Sequence, residues 1–465
     1  MKKITATVLS VLLLVLAGAC SGVRNCTPPV LNLPETFGAA AADSVSAADS
    51  EWWEFYGDST LVALIRHTLE NNRDLMAAAA RVEQARQLYG VDRLNLAPTV
   101  SGQLYADHET NDYHGEGSNG DPEYGFKVTV AWEADLWGGL SWARKRGQAA
   151  YLASEFDRQA MKVALIAETA SAYYRLVALD GELAIARRTL MTRQENLNKA
   201  KLRYEGGLTP ETVYQQAVVE YNTTAALIPG IERQLELVKN AICLLAGEYP
   251  GSEIARHHII LEDMSSPGLP AGIPSELLKR RPDLLASEAR LRQALAQAGV
   301  AYADRFPRLR IGLTGGLEND ELSTFIKSPF SYVIGSVAGT IIDFGKNKRR
   351  HRAAEAAYNA AKYEYEQDVL TAFSEVADAR SNLRLAHESR LRRAELYEAA
   401  QKYATLAFAQ YNGGVIAYID VLDAQRRYYE AQVNLNNALR DENLARVELY
   451  KVLGGGWNPE SGTEQ

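Results

Sequence analysis

The run from Ile341 to Val452 limits the fold more than any other part of the chain. It opens with Ile341-Ile342-Asp343-Phe344-Gly345, which reads as the end of a strand. About sixty-five residues without proline follow, from Lys346 to Tyr411. Apolar or small residues recur at Ala354, Tyr358, Ala361, Tyr365, Val369, Ala372, Val376, Ala379, Leu383 and Ala386. The steps alternate between three and four, the period of one helix stripe packed as in a coiled coil. At a rise of about 1.5 Å per residue such a helix is roughly 100 Å long. Tyr411-Asn412-Gly413-Gly414 ends it, because glycine reaches the left-handed backbone that terminates helices. A second helical run, Tyr418 to Val452, goes back the other way and completes a long helical hairpin.

The same phrase occurs earlier. Glu133-Ala134-Asp135-Leu136-Trp137-Gly138 opens another long proline-free run, which ends at Tyr204-Glu205-Gly206-Gly207 and turns into Pro210 to Ala246. Gly138 and Gly345 lie 207 positions apart. Asp74-Leu75 through Leu104 aligns without a gap on Asp283-Leu284 through Leu313, with Arg81 on Arg290, Gly90 on Gly299 and Pro98 on Pro307. One structural unit has been duplicated.

After each of these prolines the period changes to two. Leu309, Ile311 and Leu313 alternate with Arg310, Gly312 and Thr314; Val100 to Tyr105 is a short counterpart. Tyr124, Phe126, Val128, Val130 and Trp132 alternate with Gly125, Lys127, Thr129, Ala131 and Glu133, which gives one apolar face with aromatics at both ends. That is the pattern of a membrane β-strand. The strand after Phe330 alternates less cleanly, and loops at Asp107–Glu123 and Glu318–Pro329 join the pairs. About four such strands per chain cannot close a barrel, and lipid does not tolerate open sheet edges. Several chains must therefore share one barrel.

The N-terminus reads as a targeting segment. Lys2 and Lys3 precede an apolar run, Ile4 to Ala17, that is short for a membrane span, and Ala17-Gly18-Ala19-Cys20 follows. Small residues ending at a cysteine resemble the bacterial lipobox, so cleavage before Cys20 and lipidation of its thiol are expected, with Ser21 pointing to the outer membrane. Several acyl chains would hold the mature protein stably. Ser21 to Ser50 reads as a linker, and a helical segment is expected from Leu61 to about Leu96. Trp52-Trp53 reads as aromatic packing at a domain edge. Cys26 and Cys243 read as two unpaired thiols.

Several function classes find no support. The net charge of −8 supplies no basic face for nucleic acid. Gly115-x-Gly117-x-x-Gly120 matches a dinucleotide fingerprint but opens no helix. His257-His258, and His108 with His114, have no Cys or carboxylate cluster to complete a metal site. The absence of G-x-S-x-G, H-E-x-x-H and P-loop patterns leaves an enzyme reading unsupported, and no cofactor is expected beyond the covalent lipid on Cys20.

Several residues together carry a family. They are Cys20, Trp52-Trp53 with Phe55, Asn72-x-Asp74-Leu75 with Arg81-Val82, Asp135-Leu136-Trp137-Gly138, Asp343-Phe344-Gly345, Tyr204-x-Gly206-Gly207 and Ile419-Asp420-Val421-Leu422-Asp423-Ala424-Gln425-Arg426. In this order and spacing, over nearly the whole mature chain, they resemble the TolC-like outer-membrane efflux lipoproteins, in the branch that serves resistance-nodulation-division pumps. The resemblance implies a mainly α fold with membrane β: a duplicated unit of long coiled-coil hairpins plus four strands per chain. It implies a homotrimer whose shared β-barrel is continuous with a periplasmic α-barrel. The partners implied are a periplasmic membrane-fusion adaptor, an inner-membrane transporter and outer-membrane lipid.

The organisation expected is a signal peptide (1–19), a lipidated linker (20–50) and first-half helices with an equatorial region (51–97). A first outer-membrane β-hairpin (98–136), a first long periplasmic hairpin (137–246) and a crossing segment (247–274) come next. The second half repeats this as a helix (275–306), a β-hairpin (307–343) and a long hairpin (344–453), with a tail at 454–465.

The resemblance also implies an entrance narrowed just beyond the long helix of the second half. Asp420 and Asp423 match an acidic constriction, Arg426 matches an arginine found nearby in some members, and Tyr411 stands at the helix end. Crowded carboxylates there would favour cations. Without the resemblance, Asp420 and Asp423 are acids at a helix start, favourable to its dipole. The first-half counterparts, Val213 and Gln216, are uncharged, and Val415-Ile416 stands where some members carry a locking arginine. Gly206, Gly207, Gly413 and Gly414 read as C-caps, and the resemblance adds that these tips meet the adaptor. The function expected is a passive exit duct. Its alternatives are a lipid-tethered periplasmic coiled-coil adaptor and the exit channel of type I protein secretion.

Overall fold

The computed structural model describes residues 26–31, 51–111, 119–256, 277–339 and 342–457. Cys20, Gly115, Gly117, His114 and His257-His258 lie outside these residues. In chain order the elements are α1 (Trp52–Tyr56), α2 (Ser59–Asn71), α3 (Arg73–Leu94), β1 (Thr99–Asn111), β2 (Asn119–Ala134), α4 (Gly139–Glu205) and α5 (Glu211–Leu245). The second half follows with α6 (Leu277–Arg280), α7 (Pro282–Ala303), β3 (Arg308–Asn319), β4 (Pro329–Ala338), α8 (Lys346–Asn412) and α9 (Tyr418–Val452). Helices α4 and α8 are each 67 residues long, and α5 and α9 are each 35. The duplication therefore holds to the last residue of each helix. Among the described residues no helix is long and apolar enough to cross a membrane.

The chain divides into two compact units. The first is built mainly from residues 80–155 and 286–367 and holds the sheet. Its strands run antiparallel in the order β1-β2-β3-β4. Val100, Val130, Leu313 and Val333 stand opposite one another in a row across all four strands. Val100, Leu313 and Val333 are exposed at 69%, 52% and 72%, so this apolar face has no cover within the chain. The next row, Ser101, Thr129, Thr314 and Tyr332, faces the other way, and Thr129 and Thr314 share a 3.0 Å hydroxyl contact. Alternation with period two thus separates an apolar face from a polar one. Two aspartates set the helices that leave the sheet. Asp135 accepts the Leu140 and Ser141 N–H groups, and Asp343 accepts those of Gly345 and Asn347.

The second unit, mainly residues 51–79, 156–256 and 368–457, holds the aromatic core. Trp52, Tyr56, Leu61, Ile65, Ile166, Tyr173 and Tyr450 bury against one another. Asp58 starts α2 by accepting the Thr60 and Leu61 N–H groups, and its other oxygen accepts the Tyr173 hydroxyl at 2.7 Å. One carboxylate thereby caps a helix and ties it to α4. Trp52 is buried and Trp53 is partly exposed, in keeping with packing at an edge. Cys243 is buried and Cys26 half-buried, and both are unpaired.

Three expectations are corrected. The single helix expected from Leu61 to about Leu96 is two, α2 and α3, broken at Asn72. Asn72 takes an extended backbone, its side-chain oxygen accepts the Leu75 N–H, and its amide donates to the Leu245 carbonyl. A capping side chain with a distant partner outweighs local helical period here. Strand β1 is longer than Val100–Tyr105, and the loop expected at Asp107–Glu123 is largely strand, because Ala106–Asn111 pairs residue by residue with Asn119–Tyr124. Second-half residues 275–306 hold two helices, α6 and α7, in place of one.

Gly316 lies on the β2–β3 pairing that joins the two halves of the sheet. A Cβ there would lie 2.1 Å from the Phe126 carbonyl oxygen, across the β2–β3 pairing. Gly335 has nothing within 4 Å. Gly316→Val is expected to abolish the SDS-resistant folded species on unheated gels, and Gly335→Val to retain it. Equal yields of folded protein from the two variants would refute this reading of the close approach.

Candidate functional site

The two long hairpins reverse in the same way. At the first, Gly207 takes φ +73°, its N–H donates to the Tyr204 carbonyl, and the Leu208 N–H donates to the Arg203 carbonyl. At the second, Gly414 takes φ +73°, its N–H donates to the Tyr411 carbonyl, and the Val415 N–H donates to the Gln410 carbonyl. These paired bonds are Schellman motifs, which satisfy the last carbonyls of α4 and α8. Gly206 and Gly413 precede the left-handed glycines and close each helix on the Leu202 and Ala409 carbonyls. Leu208 and Val415, next after the glycines, are exposed at 74% and 73%. Each reversal therefore presents a bare apolar side chain.

Asp420 lies in the first turn of α9, and its carboxylate accepts the Ala417 N–H at 3.1 Å. An acid there satisfies a donor the helix leaves open and faces the positive end of its dipole. Asp423 pairs with Arg427 one turn on, at 2.8 Å, in a solvent-exposed contact. Such solvent-exposed pairs add little to stability. Asp423 is thus held by local chemistry without being buried. Tyr411 receives a 3.4 Å hydrogen bond from Arg203 and packs on Tyr418 at 5.4 Å between ring centres. The Arg203 guanidinium also lies 5.7 Å from the centre of the Tyr411 ring. The second reversal is thereby fastened to the end of α4. The first reversal holds its own pair, Tyr204 stacked on Tyr214 at 5.8 Å.

Arg426 leads to residues that the sequence reading did not single out. Its guanidinium binds Glu220 of α5, with Nε 2.8 Å from the carboxylate. Glu220 is 5% exposed and also holds Arg193 of α4 at 2.7 Å. The Arg193 guanidinium donates in addition to the Glu220 backbone carbonyl. One buried carboxylate therefore joins α4, α5 and α9. Burial pushes the Arg193 guanidinium down and Glu220 opposes it, whereas the hydrogen bond from Glu220 pushes Arg426 up. Burial, the Tyr411 phenol and Glu220 push the Tyr418 hydroxyl up to about 12. The signal for Glu220 was present in the sequence as a carboxylate in the buried stripe that includes Ala217, Thr224, Ile231 and Leu235. Arg193 and Arg203 carry no comparable local mark.

The arrangement offers hydrogen-bond clasps and charge, with no nucleophile–base pair among the residues described above. Among the described residues no group of three or more His, Cys, Asp or Glu is placed to hold a metal ion.

The family model for outer membrane efflux proteins matches residues 64–248 and 273–455. The chain is 30% identical over 459 residues to the solvent efflux pump outer membrane protein SrpC of Pseudomonas putida, covering 96% of this chain and 97% of that protein. It is 29% identical over 448 residues to the pyoverdine export outer membrane protein OpmQ, also of Pseudomonas putida, covering 94% and 95%. The solved structure of the outer-membrane channel OprN superposes with a TM-score of 0.83 at 29% identity, over 93% of this chain and 99% of that one.

Removing one partner of a buried ion pair costs about 3–5 kcal/mol, because it leaves the other charge uncompensated. Glu220→Ala is therefore expected to raise hydrogen exchange through the neighbouring turns of α4, α5 and α9. Arg193→Met with Glu220→Leu, which removes both buried charges, is expected to restore much of the protection in α4 and α5. Unchanged exchange in Glu220→Ala would show that the cluster holds nothing together.

Proposed function

The chain belongs to the outer membrane efflux protein family, and we propose from that premise that three copies assemble into one passive conduit. The protein is an outer-membrane channel through which an efflux system empties. The observation that carries the trimer is the four-stranded sheet, whose apolar face is bare and whose outer edges at β1 and β4 are unpaired among the described residues. In lipid each unpaired backbone group costs several kcal/mol on the order-of-magnitude scale of buried amides, so the edges must find each other on neighbouring copies. The duplication supplies the register. Val130 pairs with Leu313 inside the chain, and the equivalent positions are Val337 on β4 and Leu104 on β1. The reading therefore sets Val337 of one copy opposite Leu104 of the next.

The conduit is proposed to take its cargo from an inner-membrane transporter through a periplasmic adaptor. The bare Leu208 and Val415 beside Gly206, Gly207, Gly413 and Gly414 suit contact with that adaptor. Driving energy comes from the transporter, since the duct itself is passive. Cargo of small organic molecules fits relatives that are named for solvent efflux and pyoverdine export. Cys20 is proposed to carry the lipid anchor.

Asp420 and Asp423 are proposed to form the acidic ring of the entrance in the trimer, with Tyr411 and Arg426 as its fastenings. The support is that both acids reach solvent at the same reversal, while Tyr411 and Arg426 are tied to the first hairpin through Arg203 and Glu220. Opening then requires the second hairpin to release those two ties. A cation is favoured where three copies bring their carboxylates together.

Two measurements test this reading. Val337→Cys with Leu104→Cys is expected to form disulfides between copies and to run as trimer on non-reducing gels. A monomer in mild detergent, without cross-links, would return the chain to a tethered periplasmic coiled-coil role. In planar bilayers, Asp420→Ala with Asp423→Ala is expected to raise conductance and reduce cation preference several-fold. Conductance and selectivity like those of the parent would leave the two acids as helix-start residues alone.

A further inference from the structure

Five cations stand within seven residues, Lys346, Lys348, Arg349, Arg350 and Arg352, where the chain leaves β4 and enters α8. All five are exposed. Arg350 is held by Asn347. Lys346, Lys348, Arg349 and Arg352 have no carboxylate within ion-pair distance among the described residues. Several cations elsewhere in this unit are paired. Arg308 and Arg310 are matched by Glu133, Arg308 also by Asp304, and Arg146 lies 3.9 Å from Asp92. In the first copy of the repeat, the positions equivalent to Lys348 and Arg349 are Ser141 and Trp142, and the equivalent of Arg352 is Lys145, which covers the Trp142 ring at 4.4 Å. The duplication explains the helix but not these free charges.

The outward direction of the cluster is fixed by a second contact. Residues 26–31 lie along α8, where the Tyr358 hydroxyl donates to the Thr27 carbonyl at 2.9 Å and Lys362 approaches the Thr27 hydroxyl at 3.5 Å. At about 100° per residue, Lys348 and Arg352 both lie along one side of the stripe through Glu355, Tyr358 and Lys362. His351, between them in sequence, turns instead toward Tyr302 of α7. Lys348 and Arg352 therefore share a side of α8 with a segment that runs over its surface. The chain leading into them carries bare apolar side chains, Val333 and Val337 of β4 and Ile342 after it, exposed at 72%, 70% and 69%.

We infer that Lys348, Arg349 and Arg352 form a binding site for the phosphate headgroups of anionic phospholipids at the rim of the sheet. The inference rests on the outer-membrane reading above. Apolar strand residues next to a row of unpaired cations match the acyl region and headgroup of a lipid in that order. Because the strands are joined to the long helices at this end, the lipid belongs to the leaflet that faces the periplasm. The site steadies the depth and tilt of the barrel in the bilayer.

The test uses the full-length channel purified in mild detergent and mixed with phosphatidylglycerol or phosphatidylcholine, with retained lipid read by native mass spectrometry. The parent protein is expected to retain phosphatidylglycerol at least tenfold over phosphatidylcholine. Lys348→Gln with Arg349→Gln and Arg352→Gln is expected to lose most of that preference, while Arg392→Gln with Lys402→Gln, further along α8, keeps it. Should the triple variant fail to assemble, Lys348→Gln with Arg352→Gln makes the same comparison. Conductance in phosphatidylcholine bilayers is recorded in parallel, and all assembled variants are expected to conduct like the parent. Equal retention by parent and variant overturns the site. An unchanged lipid preference with altered ion selectivity also overturns it and places the cations in the conduit. If no variant and no parent sample conducts, the channel reading itself has failed, which is a different result.

Discussion

The unpaired edges of β1 and β4 govern the rest of the molecule. A strand edge in water is a tolerable liability, since solvent satisfies its N–H and C=O groups. In the bilayer interior nothing does, and the cost of each open group is of order several kcal/mol. Among the described residues the sheet has four strands in the order β1-β2-β3-β4 and ends on two open edges. Folding, insertion and assembly are consequently one problem. The duplicated unit eases it, because in the proposed assembly the pairing of β2 with β3 serves as the template for how the second half of one copy meets the first half of another. A sequence that forms the inner pairing well is selected, by the same residues, to form the outer one.

The helical hairpins solve a different problem with different means. Their buried stripes are dominated by alanine, as at Ala170, Ala186, Ala372, Ala379, Ala424 and Ala431, with larger side chains at intervals. Small residues let helices approach closely but contribute little hydrophobic area each, about 25 cal/mol per Å² buried. Specific polar contacts then set the register. Glu220 with Arg193 and Arg426 does so near the reversals, and Glu442 with His387 and Arg390 does so further along α9. Buried ions of this kind seldom add net stability over apolar replacements, and their value lies in which arrangement they permit. Glu220 joins the second hairpin to the first, whereas Glu442 joins α8 to α9 within the second hairpin.

Much of this was legible in the sequence. The absence of proline from Lys346 to Tyr411 and the glycines at Gly413-Gly414 place α8 and its reversal within a residue, and Tyr418 to Val452 matches α9. Duplication made the first hairpin as readable as the second. The failures share a cause. Asn72 breaks a helix because its amide reaches the Leu245 carbonyl 173 positions away, and β1 extends through polar residues because β2 offers partners to them. Local period carries no information about either partner. The site shows the same division. Asp420, Asp423 and Arg426 were legible only through the family resemblance, whereas Arg193 and Arg203 acquire meaning only beside Glu220 and Tyr411.

The two reversals are built alike in backbone and unlike in chemistry, and that difference bears on how a duplicated conduit works. Both carry the same Schellman bonds and the same left-handed glycine. Both carry an acid in the first turn after the reversal, Glu211 and Asp420, but only the second adds Asp423, and the contacts of Tyr411 with Arg203 and of Arg426 with Glu220 tie the second hairpin to the first. The ties run from the second hairpin to the first. A hairpin that must move needs a neighbour that does not, and identical copies would give every hairpin the same restraint and the same freedom. Divergence at a few positions on a shared backbone separates the roles without altering the fold. The first hairpin keeps uncharged Val213 and Gln216 where the second has Asp420 and Asp423, so the two hairpins differ in charge on a shared backbone. On the proposed acidic ring, position and charge would be coupled, because releasing the second hairpin would move its carboxylates apart and relieve their repulsion.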